Sequence, residues 1–253
     1  MIISSRRMFL PLAFLSCTAA FRKNAISHCG GKVLEATSIA DLRKEYSSKG
    51  LSEDGTPDNP IELFKLWFDE ARKSEVLEPN AMCLSTCTEN KPSARIVLLK
   101  DFDTSGFVWY TNYESRKAKE LEINPNAALT FWWADLERSV RVEGVVIKVT
   151  DEESDAYFNS RPRDSQIGAW SSNQSSLITN RDTLQAQETE VRARFNDLTV
   201  PVPRPSHWGG FRLRPHRVEF WEGRQGRLHD RLIYNLQEQT DQEESWSRGR
   251  LQP

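Results

Sequence analysis

The segment Arg95–Lys117, RIVLLKDFDTSGFVWYTNYESRK, decides the fold. It reads as a strand over residues 95–100, a turn over 101–106, a second strand over 107–111 and a helix that starts near Ser115. β-Branched and aromatic residues alternate on both sides of a Gly-containing turn, which is the pattern of a hairpin. Ser115 suits the N-cap, where a hydroxyl accepts from a first-turn N–H. The helix it caps opens with Arg116 and Lys117. A helix N-terminus carries partial positive charge and normally gathers Asp and Glu. Two cations there either point into water or hold an anion. Backbone N–H groups joined by Arg and Lys at such a position make a phosphate site.

Short strands flank this segment. Residues 81–88 and 93–100 read as strands joined at 89–92, followed later by 127–133 and 139–149 and by three closing strands over 210–214, 217–222 and 228–235. The helical pattern appears over 39–46, from Pro60 onward, over 151–159 and over 182–196. The helix at Pro60 has Asp58 or Asn59 to cap it and a core-facing stripe of Ile61, Phe64, Trp67, Phe68 and Ala71. Residues 161–179 form a polar, Ser-rich segment, and 200–205 a Pro-rich spacer. Seven or eight short strands with appended helices describe an α+β fold built on a small antiparallel barrel. There is neither βαβ alternation nor a Gly-x-Gly-x-x-Gly turn, which excludes a dinucleotide-binding doubly wound sheet.

The chain has 253 residues and a net charge of -2, which disfavours nucleic acid as a partner. Residues 1–34 contain no acid; Arg6 and Arg7 precede a short apolar run and then small residues. That is the pattern of a cleavable leader, too short to span a bilayer, with a plastid or mitochondrion as destination and the cytoplasm as the alternative. Residues 35–59 follow as an N-terminal helix and linker, and 60–253 as the folded domain. Cys83 and Cys87 have no metal or disulfide spacing and read as buried thiols in a reducing compartment, and none of His28, His207, His216 and His229 has metal-ligand spacing.

Three further groups carry chemistry. In WEGRQGRLHDR (221–231), an extended 227–231 puts Arg227, His229 and Arg231 on one face. They would repel unless they meet acids or an anionic ligand, or else stand in water on a rim strand. Tyr157, Arg161 and Ser165 are spaced four and four, the helical interval, although Pro162 ends the helix near Ser160. Their hydroxyl and guanidinium donors suit a phosphate. The loop Asn173-Gln174-Ser175-Ser176 offers an amide that can read the edge of a heterocycle. Several phosphate-type sites in a chain of nearly balanced charge indicate a small phosphorylated ligand, or two.

RIVLLK (95–100), TNYESRK (111–117), SRP (160–162), SQIG (165–168), QSS (174–176) and RLHDR (227–231), in this order, resemble the pyridoxine/pyridoxamine 5′-phosphate oxidase family from about Leu42 to Pro253. The resemblance implies a homodimeric FMN-binding split β-barrel, Greek-key and mostly antiparallel, with flanking helices and two flavin sites at the subunit interface. It further implies that Arg95, Ile96, Val97, Leu98, Tyr110, Thr111, Arg116, Lys117, Gln174, Ser175, Trp221 and Arg231 hold FMN. Lys100, Tyr157, Arg161 and Ser165 would grip the substrate phosphate, and Arg227 and His229, the catalytic pair, the pyridine ring. Hydride would pass from pyridoxamine or pyridoxine 5′-phosphate to flavin N5, and O2 would reoxidise the flavin to give hydrogen peroxide. No metal, nucleic acid or membrane enters this picture. A flavin reductase or a non-catalytic FMN-binding protein on the same barrel is the alternative, but would not need Tyr157, Arg161, Arg227 and His229 together. The family usually has Gln where this chain has Ser139, and the shorter side chain implies either a bridging water to the flavin or a lower flavin affinity. Arg95 and Lys100 lie five apart, so they share a strand on opposite faces unless the strand ends near Lys100. Arg141 reads as structural, paired with Glu143 or a neighbour.

Overall fold

The structure is a computed structural model that describes residues 38, 39, 42, 44–48, 50–237 and 245–253. The leader assigned to residues 1–34 lies outside the described residues. From Lys44 to Pro253 the chain forms one compact unit. Its strands are β1 Ala81–Thr88, β2 Lys91–Leu98, β3 Asp101–Asp103, β4 Gly106–Asn112, β5 Asn126–Trp133, β6 Arg138–Lys148, β7 Trp208–Glu222, β8 Asp230–Leu236 and β9 Trp246–Arg250. The helices are α1 Pro60–Lys73, α2 Arg116–Ile123, α3 Asp151–Ser160, α4 Arg163–Ser171 and α5 Arg181–Arg194.

All pairings are antiparallel, in the order β2-β1-β5-β6-β7-β4-β3, with β8 on β7 and β9 on β8. The long β7 is the spine. Its first half pairs with β4 and its second half with β8. Alternate residues such as Leu84, Phe131, Val142 and Phe220 turn to a common core, as period-two patterning requires. Helix α1 is capped by Asn59, whose side chain accepts from the Ile61 N–H, and begins at Pro60. Its stripe then docks on that core. Phe64 is fully buried, with its ring 4.9 Å from those of Phe102 and Phe107.

The α+β expectation holds, but several local expectations do not. Residues 95–100 and 107–111 do not form one hairpin. β2 folds back on β1 through Glu89 and Asn90, both at positive φ (50° and 59°), as a two-residue type I′ turn demands. It ends at Leu98, because Leu99 turns into the core and its N–H bonds to the Asn80 carbonyl at 2.8 Å. Lys100 therefore stands on a link, free of strand parity with Arg95, and β3 pairs with β4 instead.

The helix expected at 39–46 is absent among the described residues. Ile39 lies in a 3₁₀ turn, 44–48 is irregular, and the N–H groups of Ser47 and Ser48 go to the Glu137 carboxylate rather than to helical carbonyls. The closing strands at 210–214 and 217–222 are one strand. Pro215 is tolerated because it sits at a bulge, opposite Gly144, with His216 as the extra residue. A Cβ on Gly144 would fall 2.1 Å from the Arg214 carbonyl oxygen, so the bulge needs glycine there. The polar segment after Arg161 contains α4, β8 begins at Asp230 rather than Leu228, and β9 is an unexpected addition. Cys83 and Cys87 are free but only half-buried.

Candidate active site

The cations at the start of α2 have a carboxylate beneath them. Ser115 caps the helix, accepting from the Ala118 N–H, and the first turn holds no acid. Glu120, one turn on, is buried, and its Oε2 accepts from Arg95 (2.8 Å) and Thr86 (2.5 Å) while Oε1 accepts from Arg116 (2.8 Å). Burial pushes the Glu120 carboxyl up, but the hydrogen bonds from Thr86, Arg116 and Arg95 outweigh it and hold it below its ordinary value. Lys117 donates to the Gln174 side-chain oxygen at 2.6 Å and to the Thr111 hydroxyl at 3.1 Å. Burial first, and the charge of Arg95 second, bring its ammonium down to about 8. Arg95, Thr111, Arg116, Lys117 and Gln174 are thus one cluster, drawn from β2, β4, α2 and the loop after α4. Ser175 follows Gln174 at φ 72°, a left-handed turn. Ile96, Val97 and Leu98 run along β2, which pairs with β1 alone among the described residues and so has its outer backbone edge free.

A second cluster lies where α3 meets α4. Pro162 ends one helix and opens the next, placing Tyr157 and Arg161 on α3 and its C-cap and Ser165, half-buried, in the first turn of α4. The Arg161 guanidinium stacks 4.6 Å from the Trp208 ring centroid and 5.6 Å from that of Phe158. Its Nη1 is buried without a partner, and burial lowers its affinity for the proton. Tyr157 stacks on Tyr110 with ring centroids 4.0 Å apart. Tyr110 therefore belongs to this cluster, while its neighbour Thr111 points to the first one, as adjacent strand residues must. Lys100 is exposed on the β2–β3 link and joins neither cluster by a hydrogen bond among the described residues.

The third group departs from its expected form. Gln225–Arg227 is a 3₁₀ turn with Gly226 and Arg227 both at positive φ, so Arg227, His229 and Arg231 do not share a strand face. Arg231 meets an acid: its Nε donates to Glu219 at 2.8 Å, and that buried carboxylate also takes Arg141 at 3.3 Å. Arg141 pairs with Glu143 as expected, at 2.6 Å. His229 accepts the Arg224 N–H at Nδ1 (3.1 Å), and its ring lies 4.9 Å from that of Trp221. Ser139 faces Trp132 on one neighbouring strand and Trp221 on the other. The small side chain lets the two indoles approach across it to 5.8 Å.

A family model for pyridoxamine 5′-phosphate oxidase matches residues 68–195, and one for the pyridoxine 5′-phosphate oxidase C-terminal dimerisation region matches 208–253. The chain belongs to the pyridoxine/pyridoxamine 5′-phosphate oxidase family. The oxidase of that name from Herminiimonas arsenicoxydans is 54% identical over 217 residues, 85% of this chain and 100% of its own. That from Rubrobacter xylanophilus is 52% identical over 216 residues, 85% of this chain and 96% of its own. Among solved structures, PhzG from Burkholderia lata in complex with tetrahydrophenazine-1-carboxylic acid aligns with a TM-score of 0.73 at 30% identity, covering 81% of this chain and 98% of that one. As a pyridoxine/pyridoxamine 5′-phosphate oxidase family member the chain is a flavin-dependent oxidoreductase, with FMN as cofactor and a homodimer as its assembly.

The first cluster fits that cofactor's phosphate. Arg95, Arg116 and Lys117 against Glu120 leave a surplus of two positive charges, the complement of a phosphate monoester near neutral pH. Glu120 gave no functional signal in the sequence beyond its helical i,i+4 spacing from Arg116. Glu120→Gln is expected to destabilise the FMN-free protein by about 2–4 kcal/mol, because it strands the half-buried Arg95 beside two other cations. Urea denaturation of both proteins measures it.

Proposed function

We propose a division of labour by which this chain oxidises pyridoxamine and pyridoxine 5′-phosphate to pyridoxal 5′-phosphate. Arg95, Arg116, Lys117, Thr111 and Gln174 hold the FMN phosphate, with the turn at Ser175 and the open backbone edge of Ile96–Leu98 beside it. When bound, FMN takes up two electrons from the substrate and passes them to dioxygen, giving hydrogen peroxide. Arg161 and Tyr157 hold the substrate phosphate, with Ser165 and Lys100 at the rim. The observation that carries this reading is the Arg161 Nη1, buried without a partner. A guanidinium nitrogen buried without an acceptor is costly unless an anion completes it.

His229 and Arg227 belong at the pyridine ring. Because Nδ1 of His229 accepts a backbone N–H, the neutral ring keeps its proton on Nε2, which is left as a donor toward a polar group of the substrate ring. Trp221, Arg231 and the exposed Trp132 form an aromatic and cationic wall nearby. Thr111 of the phosphate cluster pairs with Gly209 near the start of β7, whereas Trp221 lies 12 residues further along the same strand, roughly 40 Å at about 3.3 Å per residue. One copy therefore cannot wrap both around a single flavin, and we assign Trp221 and Arg231 to the flavin held by the phosphate cluster of the second copy.

Anaerobic mixing of the FMN-loaded protein with pyridoxamine 5′-phosphate tests the reading. The flavin absorbance is expected to bleach within the mixing series and to return on admitting air. Persistent yellow colour with either phosphorylated substrate would leave a binding protein in place of an oxidase.

A further inference from the structure

Before α1, residues 44–48, 50 and 51 form an irregular strap that three buried carboxylates hold. Glu137 accepts the N–H groups of Ser47 (2.8 Å) and Ser48 (3.3 Å) and pairs with Lys44 at 3.1 Å. Glu222 accepts the Ser48 hydroxyl, and Asp230 accepts the Leu51 N–H at 2.9 Å. Glu137, Glu222 and Asp230 are 7%, 5% and 6% exposed. Glu222 also pairs with Arg138, and Asp230 with Arg224 and Arg250, whereas the Glu137 carboxylate meets strap groups alone among the described residues.

What the strap carries is Tyr46. Its ring meets Trp221 edge-on at 5.5 Å and His229 at 5.2 Å. The fit is close, for a Cβ on Gly223 would fall 2.6 Å from the Tyr46 ring. The backbone at Glu137 is also unusual. It sits at φ 56°, in the left-handed region that glycine occupies without strain and glutamate does not. Glycine at 137 would therefore relieve the backbone while removing the carboxylate.

We propose that Glu137 is a positioning residue for the oxidation: it clamps the strap so that Tyr46 closes the ring side of the substrate pocket over His229 and Trp221. The proposal rests on the assignment of His229 to the pyridine ring made above. Glu222 and Asp230 fasten the strap further along, so Glu137 governs the stretch that carries Tyr46.

The FMN-loaded enzyme, its Glu137→Gly variant and its Glu137→Gln variant test this. Glycine removes the carboxylate while relieving the backbone, so the variant is expected to melt no lower than the parent and to keep its FMN. Trypsin is expected to cut after Lys44 roughly tenfold faster, and KM for pyridoxamine 5′-phosphate to rise roughly tenfold while kcat changes less than about threefold, the loss of two hydrogen bonds to a charged acceptor. Glutamine keeps one acceptor oxygen and is expected to recover most of both changes. An unchanged cutting rate after Lys44 would overturn the clamp. So would a fall in kcat with loss of FMN and cutting throughout the chain, the mark of a merely structural residue. An inactive parent enzyme would remove the functional reading beneath this one, and the cutting rate at Lys44 separates that failure from an unclamped strap.

Discussion

Replacing Arg161 by leucine is expected to lower kcat/KM for pyridoxamine 5′-phosphate by a factor on the order of 10²–10³, with FMN retained. The guanidinium is stacked on Trp208 and Phe158, and its Nη1 is buried with no partner. No acidic side chain pairs with it among the described residues. That buried nitrogen therefore lacks an acceptor until an anion arrives, and the substrate phosphate supplies one. Because the phosphate is remote from the carbon that is oxidised, the loss should fall mainly on KM. Leucine takes away an uncompensated charge, so the ligand-free variant is expected to be as stable as the parent or more so. That combination separates a binding role from a folding one. Arg161→Lys should recover less than about a tenth of the activity, since an ammonium keeps the charge but neither the planar stack nor the fork of donors. Steady-state kinetics with thermal melts decide the matter; a loss of FMN in step with activity would count against the assignment.

The parts of the fold that rest on local physics were legible in the sequence. Asn59 with Pro60 marked the start of α1, the stripe from Ile61 to Ala71 marked its buried face, and Ser115 ahead of two cations marked both a cap and a charge anomaly. What escaped was set by tertiary context. Glu120 looked like an ordinary helical acid, because Arg95 lies 25 residues earlier and reaches it only once β2 has turned back on β1. Pro162 read as a helix end and residues 215–216 as a gap between two strands, yet the proline joins two helices and the gap is absorbed by a bulge. Alternation from Arg227 to Arg231 looked like a strand, but Gly226 and Arg227 take positive φ, and Arg231 finds Glu219 across the sheet. The sequence also showed Ser139 as a shortened contact without showing that Trp132 and Trp221 close over it.

Affinity for FMN is expected to fall as pH rises through about 8, and Lys117→Met to abolish that dependence while weakening binding near neutral pH by on the order of 10²-fold. In the FMN-free protein, burial and then the charge of Arg95 bring the Lys117 ammonium from its ordinary 10.5 to about 8. A phosphate dianion among Arg95, Arg116 and Lys117 favours the charged form and raises that value again. Binding above about 8 therefore takes up a proton, and each pH unit costs up to about tenfold in Kd until the value in the complex is reached. The same side chain fixes the opposite slope for folding. The unfolded chain, with its lysine at the ordinary 10.5, binds more protons than the folded FMN-free protein between about 8 and 10.5. The FMN-free protein should accordingly gain stability as pH rises through that window, and the FMN-loaded protein should not. Flavin fluorescence titrations near about pH 7 and about pH 9, on the parent and on Lys117→Met, test the first slope, and urea denaturation of the FMN-free forms tests the second. A parent protein whose FMN affinity is flat across that range, or a methionine variant that keeps the slope, would show that Lys117 is not the group that meets the phosphate.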